Sequence, residues 1–163
     1  MTTELQNQIK IVPFEDRFAA DFDRLNRAWL EGYDLLEPAD LKHLESPRET
    51  FITPGGAILV ALDQETVIGT CAIHPIDATS VEIAKLAVDP FAQGRGLGRQ
   101  LMVAAIQFAR FIGAKKIILV SNKKLAAAIR LYESLGFQHQ PLPEDTEYAT
   151  ADVYMELDLS TLQ

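Results

Sequence analysis

Apolar residues along the chain follow two periods, and the changes from one to the other mark its elements. Gln8 to Phe14 alternates weakly and predicts a strand. Phe18, Phe22, Leu25 and Trp29 then recur at helical spacing, and Pro38 can open a shorter second helix carrying Leu41 and Leu44. Pro54-Gly55-Gly56 reads as a turn. Two apolar runs follow, Ala57 to Leu62 and Val67 to Ile73, joined by Asp63-Gln64-Glu65-Thr66; they predict a hairpin with a four-residue loop, ended by Pro75. Val81 to Val88 predicts another strand, closed by Asp89-Pro90. Leu97, Leu101, Ala104, Ala105, Phe108 and Ile112 form a long helical stripe that Gly113 stops. Lys116 to Val120 is a short run rich in branched residues, as in a buried strand. Asn122 can cap a helix running to Gly136, with Leu125, Ala128, Ile129 and Tyr132 on one face. Phe137 to Gln140 and Asp152 to Leu159 read as the last two strands, separated by the polar loop Pro141 to Ala151. This order predicts an α/β (α+β) fold, a mixed sheet with helices on its faces.

Composition narrows the class. The 163 residues suit one domain, 1–163, and 48 % apolar with 23 % charged residues is the balance of a globular chain. Cys71 is the only cysteine, which excludes an intrachain disulfide or a multi-cysteine zinc site. The polar start MTTELQNQIK lacks the apolar centre of a secretory signal, and the longest clean apolar runs, Ala57 to Leu62 and Leu101 to Ile106, are far shorter than the roughly 18 residues of a membrane span. A cytoplasmic protein with no membrane contact is the expectation. The net charge of −8 argues against nucleic acid as a partner. That charge is unevenly spread. Lys85 to Arg130 holds nine Lys/Arg against one acid, a net +8, whereas the other 117 residues carry −16.

The basic stretch contains the segment richest in chemistry, Asp89-Pro-Phe-Ala-Gln-Gly-Arg-Gly-Leu-Gly-Arg99, between a predicted strand and a predicted helix. Gly94, Gly96 and Gly98 let a ligand approach the backbone closely. The free amides and dipole of a helix start favour a phosphate or pyrophosphate, and Arg95 and Arg99 can add charge-assisted contacts. An ordinary glycine-rich turn is the plainer alternative. The dinucleotide fingerprint fails because Arg99 stands where its last small residue belongs, and no Gly-Lys-Ser/Thr of a P-loop occurs.

Gln93-x-x-Gly96-x-Gly98 resembles the pyrophosphate loop of the GNAT superfamily of acyl-CoA-dependent N-acyltransferases, bacterial type. VEIAKLAVDPFAQGRGLGRQLM resembles the family's strand, loop and helix, and IILVSNKKLAAAIRLYESLGF its next strand and helix. The resemblance implies a mixed, mostly antiparallel sheet of about six to seven strands flanked by about four helices. It implies acetyl-CoA as cosubstrate and no metal. The pantetheine arm would lie along Leu86, Ala87 and Val88. The pyrophosphate would sit on Gln93, Gly94, Arg95, Gly96, Leu97, Gly98 and Arg99. A strand amide, that of Leu86, would polarise the thioester carbonyl. Asn122 would contact the pantetheine, cap a helix, or do both.

Tyr132 is similar to the family tyrosine near the thioester sulfur, a general acid for the departing thiolate; a core tyrosine is the alternative. An alkylammonium acceptor has a pKa of about 10, so making it neutral at pH 7 costs roughly 4 kcal/mol. Glu82 occupies the strand position of a catalytic glutamate in some members and is the candidate base, against a plain exposed strand carboxylate. Strand parity puts Lys85 on the opposite face from Glu82. His43, His74 and His139 lack metal-type spacing, and His74, at a strand end beside Pro75, is the best candidate of the three for a cleft role. The acceptor end falls on Ala28 to Asp40 and Pro141 to Asp152. There Trp29, Tyr33, Glu37 and Tyr148 can hold a cationic amine between rings and carboxylates, or Trp29 is core and the acids are solvated.

These readings predict an N-acetyltransferase for a small-molecule or amino-acid-like amine, attacking directly in a ternary complex. Acetylation of a protein lysine or N-terminus, and a non-catalytic acyl-CoA sensor, are the alternatives. A homodimer is a family-level expectation.

Overall fold

A computed structural model describes residues 8–160, so residues 1–7 of the polar start lie outside the described residues. The chain runs β1 (Ile9–Pro13), α1 (Ala19–Gly32), α2 (Pro38–Glu45), β2 (Ala57–Asp63), β3 (Thr66–Pro75), β4 (Ser80–Val88), α3 (Leu97–Phe111), β5 (Lys116–Ser121), α4 (Ala126–Ser134), β6 (Gln138–Gln140) and β7 (Val153–Asp158). Short helical turns at Asp16–Phe18, Arg48–Ile52 and Pro90–Ala92 link them. The seven strands form one sheet in the order β1-β2-β3-β4-β5-β7-β6. Every neighbouring pair is antiparallel except β4 with β5, which the crossover through α3 makes parallel.

The sheet is covered on both faces. On one, Phe22 and Leu25 of α1 and Leu44 of α2 pack with Phe14, Phe18 and Phe51 against Val60, Ala72 and Ala87. Phe22 meets Phe14 and Phe51 edge-on, with ring centroids 6.4 and 6.2 Å apart. On the other face, Leu97, Leu101, Met102, Ala105 and Ala109 of α3 lie over Cys71, Ile73, Ile83 and Ile117. The predicted stripe from Phe18 to Trp29 is the first contact face; of the second, Leu97, Leu101 and Ala105 are buried and Phe108 is half-buried, whereas Ile112 is exposed and Met102 and Ala109 complete the face.

Three local expectations need correction. The β2–β3 loop is only Gln64 and Glu65, because Asp63 pairs directly with Thr66 and Gln64 takes a left-handed φ of 57°. Asn122 does not cap α4, which starts at Ala126; its side-chain oxygen accepts from the Lys124 amide at 2.9 Å in a preceding turn. Lys85 is not opposed to Glu82. Thr70 pairs with Ala87 and Ala72 with Ala84, so β4 carries one residue more than β3 in this span, and Lys85 takes a φ of 56°. Val81 and Ile83 face α3, but beyond the bulge it is Val88 that faces α3 and Ala87 that faces α1. The inserted residue inverts the alternation and brings Glu82 and Lys85 to the same side.

The turn before β2 depends on a close backbone approach. A β-carbon on Gly56 would lie 1.9 Å from the Ile73 carbonyl oxygen and 2.6 Å from that of Phe51. Gly32, at the end of α1, has nothing within 4 Å. Gly56→Ala is therefore expected to cost about 3 kcal/mol or more, since a backbone clash cannot be relieved by a rotamer. Gly32→Ala is expected to add about 0.4–1 kcal/mol. Denaturant unfolding of both variants measures the difference.

Candidate active site

Strand pairing creates the cleft. β4 and β5 are registered at Ser80–Lys116, Val81–Ile117 and Glu82–Ile118, and the ladder stops there. Beyond it the strands separate, leaving the edge of β4 from Ile83 onward without a strand partner on the β5 side. A cavity occupies the gap, bounded by Ile83–Leu86 of β4, Leu119–Asn122 of β5, and Tyr132 of α4. Its far end reaches under α1 and α2, to Trp29, Glu37 and Asp40, and is roofed by Tyr148 and Thr150.

The glycine segment lies at the end of β4. The Asp89 amide donates to the Ile68 carbonyl at 2.8 Å, and the Asp89 carboxylate accepts from the Phe91 amide at 3.0 Å. The Gln93 side chain donates back to the Val88 carbonyl at 3.2 Å, folding the loop over the strand end. Gly94 and Gly96 take left-handed φ values of 82° and 77°, which L-residues rarely adopt. A β-carbon at either would meet nothing within 4 Å, so the space above them is open. Gly98 instead faces α4, with Leu131 3.3 Å from a β-carbon there. Gly96 caps α3 without a side-chain bond, and buried Leu97 anchors the first turn. The first-turn amides thus point outward with the positive end of the helix dipole. Arg95 lies 4.0 Å from the Asp63 carboxylate, and Arg99 donates to the Ser134 hydroxyl at 2.5 Å.

Glu82 and Tyr132 line the same cavity. Burial pushes the Glu82 carboxyl up to about 7; the nearby Glu147 carboxylate adds to this and the Lys85 ammonium opposes it. Glu82 is therefore neither fully exposed nor an ordinary surface acid. Tyr132 is 8 % exposed and packs on Phe137, with ring centroids 6.1 Å apart. Burial raises its phenol above the usual tyrosine range, so it stays protonated. Its hydroxyl makes no hydrogen bond among the described residues.

At the far end, the Lys85 ammonium and the Asp40 carboxylate meet at 2.5 Å, with both side chains 4 % exposed. Asp40, at the end of the acidic segment from Ala28, is buried because it completes the start of α2. It accepts from the Glu37 amide at 2.9 Å in a capping box. The Tyr148 hydroxyl lies 3.5 Å from the Lys85 nitrogen and 3.3 Å from Nδ1 of His43. Burial, Glu82, Glu147 and Asp40 all raise the Tyr148 phenol, and burial and Lys85 lower His43. Glu37 is not free for a ligand. Its carboxylate accepts from the Ala149 and Thr150 amides at 2.8 and 3.0 Å and from the Thr150 hydroxyl. Asn122 donates to the Thr150 carbonyl at 2.6 Å, so it ties the β5 end to the same segment.

Trp29 lines the cavity, but Tyr33 does not: it stacks outside Trp29 at 5.5 Å, and its carbonyl accepts from Lys124. His74 sits beside Glu82 across the β3–β4 ladder, yet its Nδ1 is held on the Thr50 carbonyl at 3.1 Å and its ring meets Phe51. His43, rather than His74, touches the lining of the cavity, through Tyr148. The Glu37-Pro38-x-Asp40 capping pattern was the one readable sign that Asp40 would turn inward. Lys85 had none, since a bulge leaves no mark in apolar periodicity. Among the described residues, no group of three His, Cys, Asp or Glu is placed to hold a metal, and no helix is long and apolar enough to cross a membrane.

Residues 19–137 match the model of the Acetyltransferase (GNAT) family. The chain is 32 % identical over 150 residues to an uncharacterized N-acetyltransferase of Schizosaccharomyces pombe, covering 86 % of this chain and 88 % of that one. A GNAT-family acetyltransferase from Staphylococcus aureus superposes with a TM-score of 0.86 at 17 % identity, over 93 % of this chain and 99 % of that one. YncA from Salmonella typhimurium, solved with its cofactor acetyl-CoA, superposes with a TM-score of 0.71 at 24 % identity, over 94 % of this chain and 95 % of that one. The structural likenesses speak for the fold, and the sequence matches, bacterial and eukaryotic alike, for the kinship. With its glycine-rich helix start, its parted β4 and β5 and these relatives, the chain belongs to the GNAT acetyltransferase family and is an acyltransferase.

Proposed function

We propose that this enzyme transfers the acetyl group of acetyl-CoA to the primary amine of a small-molecule or amino-acid-like acceptor, by direct attack in a ternary complex. The observation that carries this reading is the meeting of Glu82 and Tyr132 on one cavity, beside an unpaired strand edge and a helix start whose amides are free. The residues fit the donor. The β4 edge at Leu86–Val88 offers strand-type hydrogen bonds to an amide-bearing pantetheine arm. The turn from Gln93 to Arg99 offers amides and open space to a pyrophosphate. When bound, acetyl-CoA supplies the activated acyl carbon and a thiolate leaving group.

Glu82 removes one proton from the acceptor's ammonium, directly or through a water, and the neutral amine forms the new N–C bond. Tyr132 gives its phenolic proton to the sulfur as the C–S bond breaks, and regains one from the nitrogen as the amide forms. The products are the N-acetyl compound and free thiol. A small acceptor is favoured over a polypeptide because the segment from Glu147 to Thr150 roofs the acceptor end, tied down by Glu37, His43 and Asn122. Trp29 supplies an apolar wall for the acceptor, and the carboxylates supply a field that attracts its charge.

Calorimetry should show acetyl-CoA binding, and thiol release should follow on adding a small amine; a peptide outcompeting every small amine would redirect the acceptor assignment. Tyr132→Phe is expected to lower kcat by about 100-fold or more while leaving acetyl-CoA affinity unchanged. Unchanged turnover would remove Tyr132 as the acid.

The base acts as a carboxylate. Because Glu82 keeps its proton up to about pH 7, kcat is expected to fall about tenfold per unit as pH drops below that value. In Glu82→Gln this limb should vanish from the pH profile and the rate should drop about 100-fold or more.

A further inference from the structure

The bulge in β4 is held from beneath by a strut, Thr70 of β3 and Asn26 of α1, the latter also bordering the cavity. Thr70 of β3 is fully buried, and its hydroxyl donates to the Lys85 carbonyl at 3.0 Å. The same oxygen accepts from the side-chain amide of Asn26 in α1 at 3.0 Å, and that amide also donates to the Phe22 carbonyl at 2.9 Å. Asn26 is 1 % exposed in a helix whose other buried residues are apolar, and burying such a group costs free energy unless it is fully bonded. Both hydrogen-bonded contacts of Asn26 are made by its side-chain NH2, to Phe22 and Thr70, and the residue also borders the cavity.

The strut has a geometric consequence. A trans peptide is planar, with its C=O and N–H pointing in opposite directions. Turning the Lys85 carbonyl toward Thr70 therefore turns the Leu86 N–H the other way, to the edge that β5 has left and the cavity occupies. The Lys85 side chain is clamped separately by Asp40, so residue 85 is gripped at both backbone and side chain, each time by a group from the α1–α2 side or β3.

We propose that Asn26 and Thr70 are positioning residues: they lock the Lys85–Leu86 peptide so that its N–H is aimed at the carbonyl oxygen of the bound acetyl thioester. The inference rests on the acetyl-CoA reading above and adds the device that preorganises the donor. The strut is formed before any ligand arrives, so no reorientation of the peptide is needed during the reaction. It acts on the acetyl group alone, since free CoA has no carbonyl at this position.

That difference supplies the test. The carbonyl stretch of [1-13C]acetyl-CoA should move to lower frequency on binding the wild-type protein, and acetyl-CoA should bind more tightly than CoA. Thr70→Val removes the hydroxyl at nearly constant volume. It is expected to return the band toward its solution value, abolish the preference for acetyl-CoA, leave CoA affinity unchanged and lower kcat by about 100-fold. Thr70→Ser should restore all three properties. Asn26→Leu, which leaves the Thr70–Lys85 bond in place, should show the same changes in smaller degree and serves if Thr70→Val does not fold. Equal losses of CoA and acetyl-CoA affinity, or an unshifted band and kcat in both variants, would overturn the proposal. A wild-type protein that binds acetyl-CoA and turns over without any band shift sinks the strut's role alone. One that binds no acetyl-CoA sinks the acetyltransferase reading with it.

Discussion

A left-handed backbone at one residue, Lys85, organises the site. With φ at 56°, it adds a residue to β4 against β3 and inverts the side-chain alternation from that point on. Before it, Glu82 faces the α1–α2 side; after it, so do Lys85 and Ala87, while Leu86 joins the core under α3. A regular strand would have sent Lys85 into the apolar layer beneath α3, where an unpaired ammonium is untenable. The bulge lies just past the last β4–β5 pair, so the twist it adds falls where β4 must leave its neighbour for the cleft to open. A non-glycine residue in this conformation is uncommon and survives only where its surroundings over-determine it. Here they do, through Thr70 on the carbonyl and Asp40 on the ammonium.

The charge pattern gains meaning from the same geometry. Lys85 belongs to the +8 stretch by sequence, but Asp40 neutralises it in a buried pair, so it adds nothing to the field an anion would meet at the loop. Such pairs do not by themselves stabilise a fold, since desolvation offsets the attraction. This one positions a strand. The acceptor end is left with carboxylates in excess, and Glu82 and Tyr148 are both shifted upward, in part by the negative charges around them. The outward-pointing amides of α3 provide the opposite polarity at the other end of the cavity. On the function proposed above, these fixed groups would sort an anionic donor and a cationic acceptor to opposite ends.

Much of this was legible in the chain. Element order followed from apolar periodicity, because both faces of the sheet are packed and each stripe has one partner layer. The loop from Gln93 to Arg99 was legible because its glycines are required by backbone conformation at Gly94 and Gly96 and by contact at Gly98. Glu82 and Tyr132 came from the family resemblance, and neither neighbour in sequence hints that they share a cavity. Parity for Lys85 is a local rule, and it is overruled by a bulge that a partner distant in sequence, Thr70, holds. Asn122 fails as a helix cap because the chain makes a turn at Lys123 and Lys124 before α4 begins at Ala126. Tyr33 fails for a simpler reason. It follows Trp29 by one helical turn, and only the first of the two rings reaches inside.

Glu82, the proposed base, and the roof over the far end of the cavity are electrostatically linked. Glu82 is held near neutrality by burial, with Glu147 raising it and Lys85 lowering it. Lys85 is fixed to the sheet by its bulge, whereas Glu147 rides on the segment anchored through Tyr148, Thr150 and Asn122. The two neighbours therefore differ in kind: one is built into the strand, and the other comes with the loop that covers the far end of the cavity. Through that loop Glu147 raises the proton affinity of Glu82, and the Glu37 fork that holds the loop is itself the start of α2. The element that roofs the far end of the cavity is thus also the element that completes the electrostatic setting of Glu82.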